Sequence, residues 1–230
     1  MTDTKPLIAV IGGTGSQGSG LAMRWAKAGY PVIIGSRDSD KAKQSAIEIT
    51  AIAPSNNKWG NVCCTDNLSA AMECEIAVLA VPHANQINTL KPISNALKGK
   101  ILIDVTAPLK PPKVSTVQLP EAGSAVVESQ EMLGENVAVV AAFQNIAAQH
   151  LADPDHEIDC DVLVCGNKKA AREIAITLAN DAGMTAWHAG PLANAAAAEA
   201  MTSVLIFINR AHKIPGSGIR ITGTPEELED

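Results

Sequence analysis

The chain has 230 residues, of which 47% are hydrophobic and only 3% aromatic, and a formal net charge of −6. That length is enough to bury a full core, as one large domain or as one domain with a cap. The acidic balance, without a basic run or an aromatic platform, excludes nucleic acid as an expected partner.

The first residues, "MTDTKP", are polar and carry no secretory signal. The longest apolar stretch, "VLIFI" near the C-terminus, is too short to span a bilayer. The five cysteines form no C-x-x-C pair, so buried reduced thiols are expected rather than disulfides or a metal site. Together these features predict a cytoplasmic protein without a membrane partner.

Leu7–Ile11 is a continuous apolar run, as expected for a buried parallel strand. Gly13, Gly15 and Gly18 follow as G-x-G-x-x-G. Leu21, Ala22, Trp25, Ala26 and Ala28 then recur at helical spacing in a predicted helix Ser19–Ala28, and Gly29 stops it. Such glycines serve a tight turn, a close approach of backbone to pyrophosphate, and close helix–strand packing. The helix N-terminus adds free N–H groups and the positive end of its dipole. A lone G-x-G-x-x-G is a weak signal, but strand before and helix after are its confirming context.

The second strand, Val32–Ile34, leads into Gly35-Ser36-Arg37. In NAD-binding chains a carboxylate at this place accepts hydrogen bonds from the ribose hydroxyls. Here Ser36 takes that position, and the Arg37 guanidinium can pair with phosphate oxygens and stack on adenine. The Thr14 hydroxyl and the Lys41 ammonium add to the same grip. This pattern predicts NADP(H) over NAD(H), although Asp38 and Asp40 stand beside Arg37.

Further strands are predicted at Asn61–Cys64, Ile76–Val81, Ile101–Val105, Ala138–Phe143, Asp161–Cys165 and Thr185–His188. Helices are predicted at Asp40–Ile52, Leu68–Met72, Ile87–Leu97, Ala125–Leu133 and Lys168–Ala182. This alternation predicts an α/β fold: a doubly wound, mainly parallel, Rossmann-type sheet of about eight strands. Ligands of such sheets bind outside the carboxyl ends of the strands. The proline-rich "APLKPPKVSTVQLPEAG" reads as a semi-rigid surface loop near that site.

Residues 1–189 form the NADP-binding domain in this reading, and residues 190–230 form a C-terminal helical cap. The cap opens with an Ala-rich helix, Leu192 to Arg210, apolar around most of its surface. It predicts a cover over the cofactor mouth, a dimer interface, or both. A basic cluster follows, Arg210, His212, Lys213 and Arg220, and then a fraying acidic tail, "TPEELED". The cluster fits either helix-dipole compensation or a grip on an anionic second ligand.

Several stretches taken together resemble the NADPH-dependent F420 reductases. They are "VIGGTGSQGSGLAMRWAKAGYPVIIGSR", "AVLAVPHANQINTL", "VLVCGN" and "HAGPLANAAAAEAMTSVLIFINRAHKIPGSGIRITG". The resemblance runs over essentially the whole chain. It implies an oxidoreductase that moves hydride between NADP(H) and coenzyme F420, an 8-hydroxy-5-deazaflavin with an anionic tail, and it implies a homodimer. Thr14, Ser36, Arg37 and Lys41 then match the 2′-phosphate grip, and Gly13, Gly15, Ser16, Gln17 and Gly18 the pyrophosphate loop. Val81, Pro82 and His83 match the turn beside the cofactor. Gln144, Asn145, Ile146 and Ala148 match the turn where nicotinamide and deazaflavin meet, and Ser217, Gly218 and Ile219 match the C-terminal turn near the deazaflavin. The chain departs from the pattern at two places, with Gln144 where His is usual and Ala147 where Pro is usual.

Hydride transfer between ring carbons needs no nucleophile and no metal, only rings held close with water excluded. The resemblance therefore implies no catalytic acid or base. His83 is read as a packing or hydrogen-bonding residue at its turn, and His188 as a strand end. Two other readings remain open from the residues alone: an NADPH-dependent reductase of a flavin, ferric chelate or imine, and a non-enzymatic NADP(H) sensor.

Overall fold

The computed structural model describes residues 5–54 and 58–223. The expected fraying tail at 224–230 and the first four residues lie outside that range. Eight strands build one sheet in the order β3-β2-β1-β4-β5-β6-β7-β8. The strands are β1 (Ile8–Ile11), β2 (Val32–Gly35), β3 (Val62–Thr65), β4 (Ile76–Leu79), β5 (Ile101–Asp104), β6 (Ala138–Ala141), β7 (Val162–Gly166) and β8 (Ala186–His188). All neighbours run parallel except β6 and β7, which pair antiparallel with Ala141 opposite Cys165. The order of the first six strands is that of a Rossmann fold, with its crevice where the order reverses between β1 and β4.

The helices are α1 (Ser16–Lys27), α2 (Ser39–Ile52), α3 (Asn67–Glu73), α4 (His83–Leu90), α5 (Ala125–Leu133), α6 (Ala148–Leu151), α7 (Lys169–Asp181) and α8 (Ala195–His212). Side chains cap three of them. Asp38 accepts from the N–H groups of Asp40 and Lys41, Asp66 from those of Leu68 and Ser69, and Ser124 from those of Val126 and Val127. Each such cap satisfies N–H groups that a helix leaves without partners. α1 ends as expected, with Gly29 in the left-handed region at φ 88.

The central strands β1, β2 and β4 are buried along their whole length, which is why their sequences read as unbroken Val, Ile, Leu and Ala. One core holds Val10, Ile34, Trp25, Phe143 and Leu178, and the other holds Ile11, Leu79, Leu102 and Leu133. Trp25 is fully buried, donates Nε1–H to the Leu178 carbonyl at 2.9 Å, and meets Phe143 edge to face at 5.9 Å. All five cysteines are free.

Element ends differ from expectation where the chain turns toward the site. β6 stops at Ala141, because Phe143 takes a left-handed backbone with φ 70. A strand cannot continue through that conformation. β4 stops at Leu79, and α4 starts at His83 rather than Ile87 because its first turn carries the buried Gln86. α1 starts three residues early, at Ser16, and the short α6 was not visible as a periodic segment.

The C-terminal helix corrects one expectation. "VLIFI" is short, but the whole segment Leu192–His212 is long and apolar enough to cross a membrane by length and composition. Within the fold its middle is tied to protein. Glu199 is 1% exposed and accepts hydrogen bonds from Ser124 Oγ and from the N–H groups of Ala125 and Val126. Leu192 and Ala195 join the second core.

Candidate functional site

The glycine loop divides its work among more residues than the motif suggests. Gly12, just before the motif, carries the left-handed conformation at φ 75, and a Cβ there would lie 2.3 Å from Val81 Cγ1. Gly13 and Gly18 are packing positions, where a Cβ would lie 2.8 Å from the Val10 carbonyl oxygen and 2.9 Å from Gly13 Cα respectively. At Gly15 a Cβ would meet only the Gly12 carbonyl oxygen, at 3.9 Å, so this side of the loop is open. No side chain caps α1. The N–H groups of residues 16–18 precede the first helical bond, from Ser19 N–H to the Gly15 carbonyl, and stand ready for an anion.

β2 delivers the second part. The Gly35 carbonyl accepts from the N–H groups of both Gly12 and Gly13, at 3.0 and 3.1 Å, and so ties the loop to the end of β2. Ser36 is buried, and its Oγ accepts from Asp38 N–H at 3.1 Å. Arg37 and Lys41 are exposed. Asp38, the acid that could neutralise Arg37, is engaged as the cap of α2 and sits 3.6 Å from Lys41 Nζ. The Lys41 N–H bond, first among the causes, holds the Asp38 carboxyl below its ordinary value.

A cavity of about 700 Å³ lies between the loop, the turns after β4, β5 and β6, and the C-terminal helix. Of the expected site residues it collects Gly15, Ser16, Gln17, Val81, Pro82, Gln144, Ile146 and Ala148. Gln17 spans the opening by donating Nε2–H to the Phe143 carbonyl at 3.1 Å. Among the described residues, none of the side chains lining the cavity is ionisable. His83 stands outside the lining, 2.8 Å from Glu128, and His188 ends β8. Asn145 is turned away and donates Nδ2–H to the Asp161 carbonyl.

Sequence reasoning missed Thr106, Leu109, Thr202, Ile206 and Asn209 in this lining. Thr106 follows Asp104 at the end of β5, and position after a strand was its one available signal. Asp104 is fully buried: Oδ2 accepts from Gln86 Nε2 and Ser129 Oγ, and Oδ1 from Thr106 N–H. Burial pushes the Asp104 carboxyl above its ordinary value, against the pull of the Thr106 hydroxyl and of those hydrogen bonds. Thr202 Oγ1 donates to the Gln144 carbonyl at 2.8 Å and fastens α8 to the turn after β6.

The C-terminal segment meets the cavity through Ile214 and Pro215. Ser217–Ile219 lie beyond that wall. Ser217 N–H donates to Asn209 Oδ1 at 2.7 Å, and Ile219 pairs with Asp161 through its carbonyl at 2.8 Å. A Cβ on Gly218 would lie 2.5 Å from Cys160 Cβ. Arg220 pairs with Asp159 at 3.3 Å, while Arg210, His212 and Lys213 are exposed at the end of α8.

A family model described as NADP oxidoreductase, coenzyme F420-dependent, matches residues 7–108. The F420-dependent NADP reductase of Methanocaldococcus jannaschii is 38% identical over 219 residues, which are 94% of this chain and 97% of the relative. That of Methanothermobacter marburgensis is 40% identical over 224 residues, 95% of this chain and 99% of the relative. Among solved structures, a candidate F420-dependent NADP reductase from Arthrobacter sp. FB24 superimposes with a TM-score of 0.77 at 26% identity, covering 94% of this chain and 99% of that one. With the Rossmann order, the open phosphate loop and whole-length identity of this level together, the chain belongs to the family of F420-dependent NADP reductases.

Proposed function

We propose that this protein is an oxidoreductase that transfers hydride between NADP(H) and coenzyme F420, the activity for which its relatives are named. The observation that carries the reading is the single cavity joining the phosphate loop to α8, of a size usual for small-molecule sites, roughly 300–1,000 Å³. The residues fit the ligands. Gly15 leaves the loop open, and the first turn of α1 presents free N–H groups.

Gly13–Gly18 would hold the pyrophosphate, and Thr14, Ser36, Arg37 and Lys41 the 2′-phosphate. When bound, the nicotinamide and the deazaflavin supply the hydride-donating and hydride-accepting carbons. The chain itself contributes position and dryness. Val81, Pro82, Gln144, Ile146 and Ala148 line the floor, and Leu109, Ile206, Ile214 and Pro215 close the apolar wall. A cavity without ionisable side chains suits a transfer in which no enzyme acid or base takes part. His83 and Asn145 act as supports for the two turns, and Ser217, Gly218 and Ile219 hold the C-terminal wall against β7.

Residues 190–223 act as the cap of this site. The same helix supports a homodimer, because Val204 and Phe207 on α8 are 42% and 60% exposed in the single chain. Glu199, buried and bonded to α5, favours a helix packed in protein over one in lipid. Five free thiols suit a reducing compartment, and we place the enzyme in the cytoplasm.

The test is NADPH oxidation by purified protein, followed by absorbance, with F420, FMN and a ferric chelate offered separately. Turnover with F420 is expected. Turnover with FMN or the chelate and none with F420 would reject the acceptor and leave the NADP site standing.

A further inference from the structure

We propose that residues 214–221 form a strap across one wall of the cavity, and that the Asp161 carboxylate is the positioning group that latches it. The proposal rests on the hydride-transfer reading and adds what keeps one side of the cavity closed.

The strap leaves α8 at Lys213 and enters the cavity wall at once, through Ile214 and Pro215. Among the described residues, none after Leu205 is buried. Ile219 is only partly buried where it packs on the first core. A wall with so little apolar burial depends on its hydrogen bonds, and such a segment opens locally more readily than the core.

Those bonds fall into a hinge, a middle and a latch. At the hinge, the Asn209 carbonyl accepts from Ile214 N–H at 3.1 Å, and Asn209 Oδ1 accepts from Ser217 N–H at 2.7 Å. In the middle, His150 Nε2–H donates to the Gly216 carbonyl at 3.0 Å. A carbonyl only accepts, so the imidazole must be the donor there. At the far end, Asp161 N–H donates to the Ile219 carbonyl, and Asp161 Oδ2 accepts from Ile221 N–H at 2.7 Å. The same oxygen accepts from Trp187 Nε1–H of β8 at 2.8 Å. Asp161 is 7% exposed, so its side chain is a buried joint between the strap and the sheet. The strap is also shaped to lie close. A Cβ on Gly216 would run into the His150 ring.

The latch lies away from the expected dinucleotide grip. Gly13–Gly18 follow β1, and Ser36 and Arg37 follow β2, whereas β4, β5 and β6 separate β1 from β7. A loosened strap therefore disturbs the ligand against Ile214 and Pro215 and leaves the phosphate contacts in place. An acceptor that touches this wall does so only when the strap is closed. Acceptor and latch must then stabilise each other by the same factor.

The experiment follows amide hydrogen exchange of the strap by mass spectrometry, with steady-state kinetics, on the full-length protein. In the unmodified protein, F420 is expected to slow exchange across the strap, and NADP+ alone is not. Asp161→Ala should speed that exchange in the ligand-free protein. It should raise the KM for F420 about three- to tenfold, the order of one hydrogen bond. The Kd for NADP+, and kcat at saturating F420, should stay nearly unchanged. Asp161→Asn should restore most of the affinity, because both donors meet a single oxygen that an amide can supply. Gly216→Ala removes no hydrogen-bonding side chain, yet it should lift the strap and reproduce the Asp161→Ala pattern.

Faster strap exchange in Asp161→Ala and Gly216→Ala with an unchanged KM for F420 would overturn the proposal. So would unchanged exchange in Asp161→Ala, an equal loss of NADP+ and F420 binding, or an Asp161→Asn protein as impaired as Asp161→Ala. Failure of the unmodified protein to turn over F420 would instead remove the reading beneath. Exchange in the ligand-free variants would still decide whether Asp161 holds the strap.

Discussion

Glu199 accepts a hydrogen bond from Ser124 Oγ at 2.6 Å. Its two oxygens also take the N–H groups of Val126 and Ala125, so a carboxylate from α8 sits on the positive end of α5. This joint holds the C-terminal helix over the sheet, and with it the wall that carries Ile206 and Asn209.

Glu199→Gln keeps the shape but replaces an acceptor with a donor, and is expected to cost about 1–3 kcal/mol at pH 7 by chemical denaturation. The pH dependence has a definite sign. Burial raises the Glu199 carboxyl above its ordinary value. The folded chain then holds that proton more tightly than the unfolded chain, so this contribution is full below the ordinary glutamate value and is lost as pH rises through the raised one. The stability gap between wild type and Glu199→Gln should therefore narrow from about pH 4 to pH 7, where the ordinary value is about 4.3. A gap that widens over that range would contradict the assignment.

Arg37 stands exposed past the end of β2, and Asp38 beside it is occupied as a cap. NADPH should bind at least tenfold tighter than NADH. One charge-assisted contact of this kind is worth about 1.5–3 kcal/mol. Arg37→Asp should erase the preference, as measured by fluorescence titration with both dinucleotides. Equal affinities in the unmodified protein would end the claim.

Phe207 is 60% exposed on the face of α8 that carries Val204. A second copy of the chain covering that face would remove both from water, at roughly 1.5–3 kcal/mol for a fully buried large apolar side chain. Light scattering should give a dimer at micromolar concentration, and Phe207→Asp should shift it to monomer without a loss of helix content. A monomeric wild type would mean that the face stays open.

What could be read from the sequence follows how local each signal is. The loop from Ile11 to Gly18 and the end of β2 were legible because strand, glycines and helix adjoin in the chain. Gly12 was overlooked because the motif begins one residue later, whereas Gly12 is the left-handed residue of the turn, where an added Cβ would strike Val81. The turn after β6 was legible as a strand end, but the Gln144 side chain is fixed by a hydrogen bond to the Asp104 main-chain carbonyl, forty residues away. Thr106 and Asn209 have no local pattern, since each becomes a lining residue only when β5 and α8 meet the turn after β6. The contact of the C-terminal segment with the cavity, at Ile214 and Pro215, had no local signal for a similar reason. The chain passes the cavity at Ile214 and Pro215 and then bonds to Asp161.

The last prediction concerns the anionic tail of the acceptor. Arg210, Lys213 and Arg220 were expected as its partners, and the structure separates them. Lys213 ends α8 in the left-handed region at φ 55 and immediately precedes Ile214 and Pro215 at the cavity, and Arg210 follows Asn209. Arg220 lies past the wall and is paired with Asp159 at 3.3 Å. Both members of that pair are well exposed, so the pairing itself is weak, about 0–1 kcal/mol. Lys213→Ala and Arg210→Ala should each raise the apparent KM for F420 by about two- to fivefold, the worth of one surface charge. The values for kcat and for the KM of NADPH should stay nearly unchanged, because such contacts bind ground and transition states alike. Arg220→Ala should do less. The effects should shrink as salt is added, since exposed charges are screened over about 8 Å at physiological ionic strength. Steady-state kinetics at low and high salt provide the check. A larger effect from Arg220→Ala than from Lys213→Ala would move the tail to the Asp159 side of the C-terminal segment.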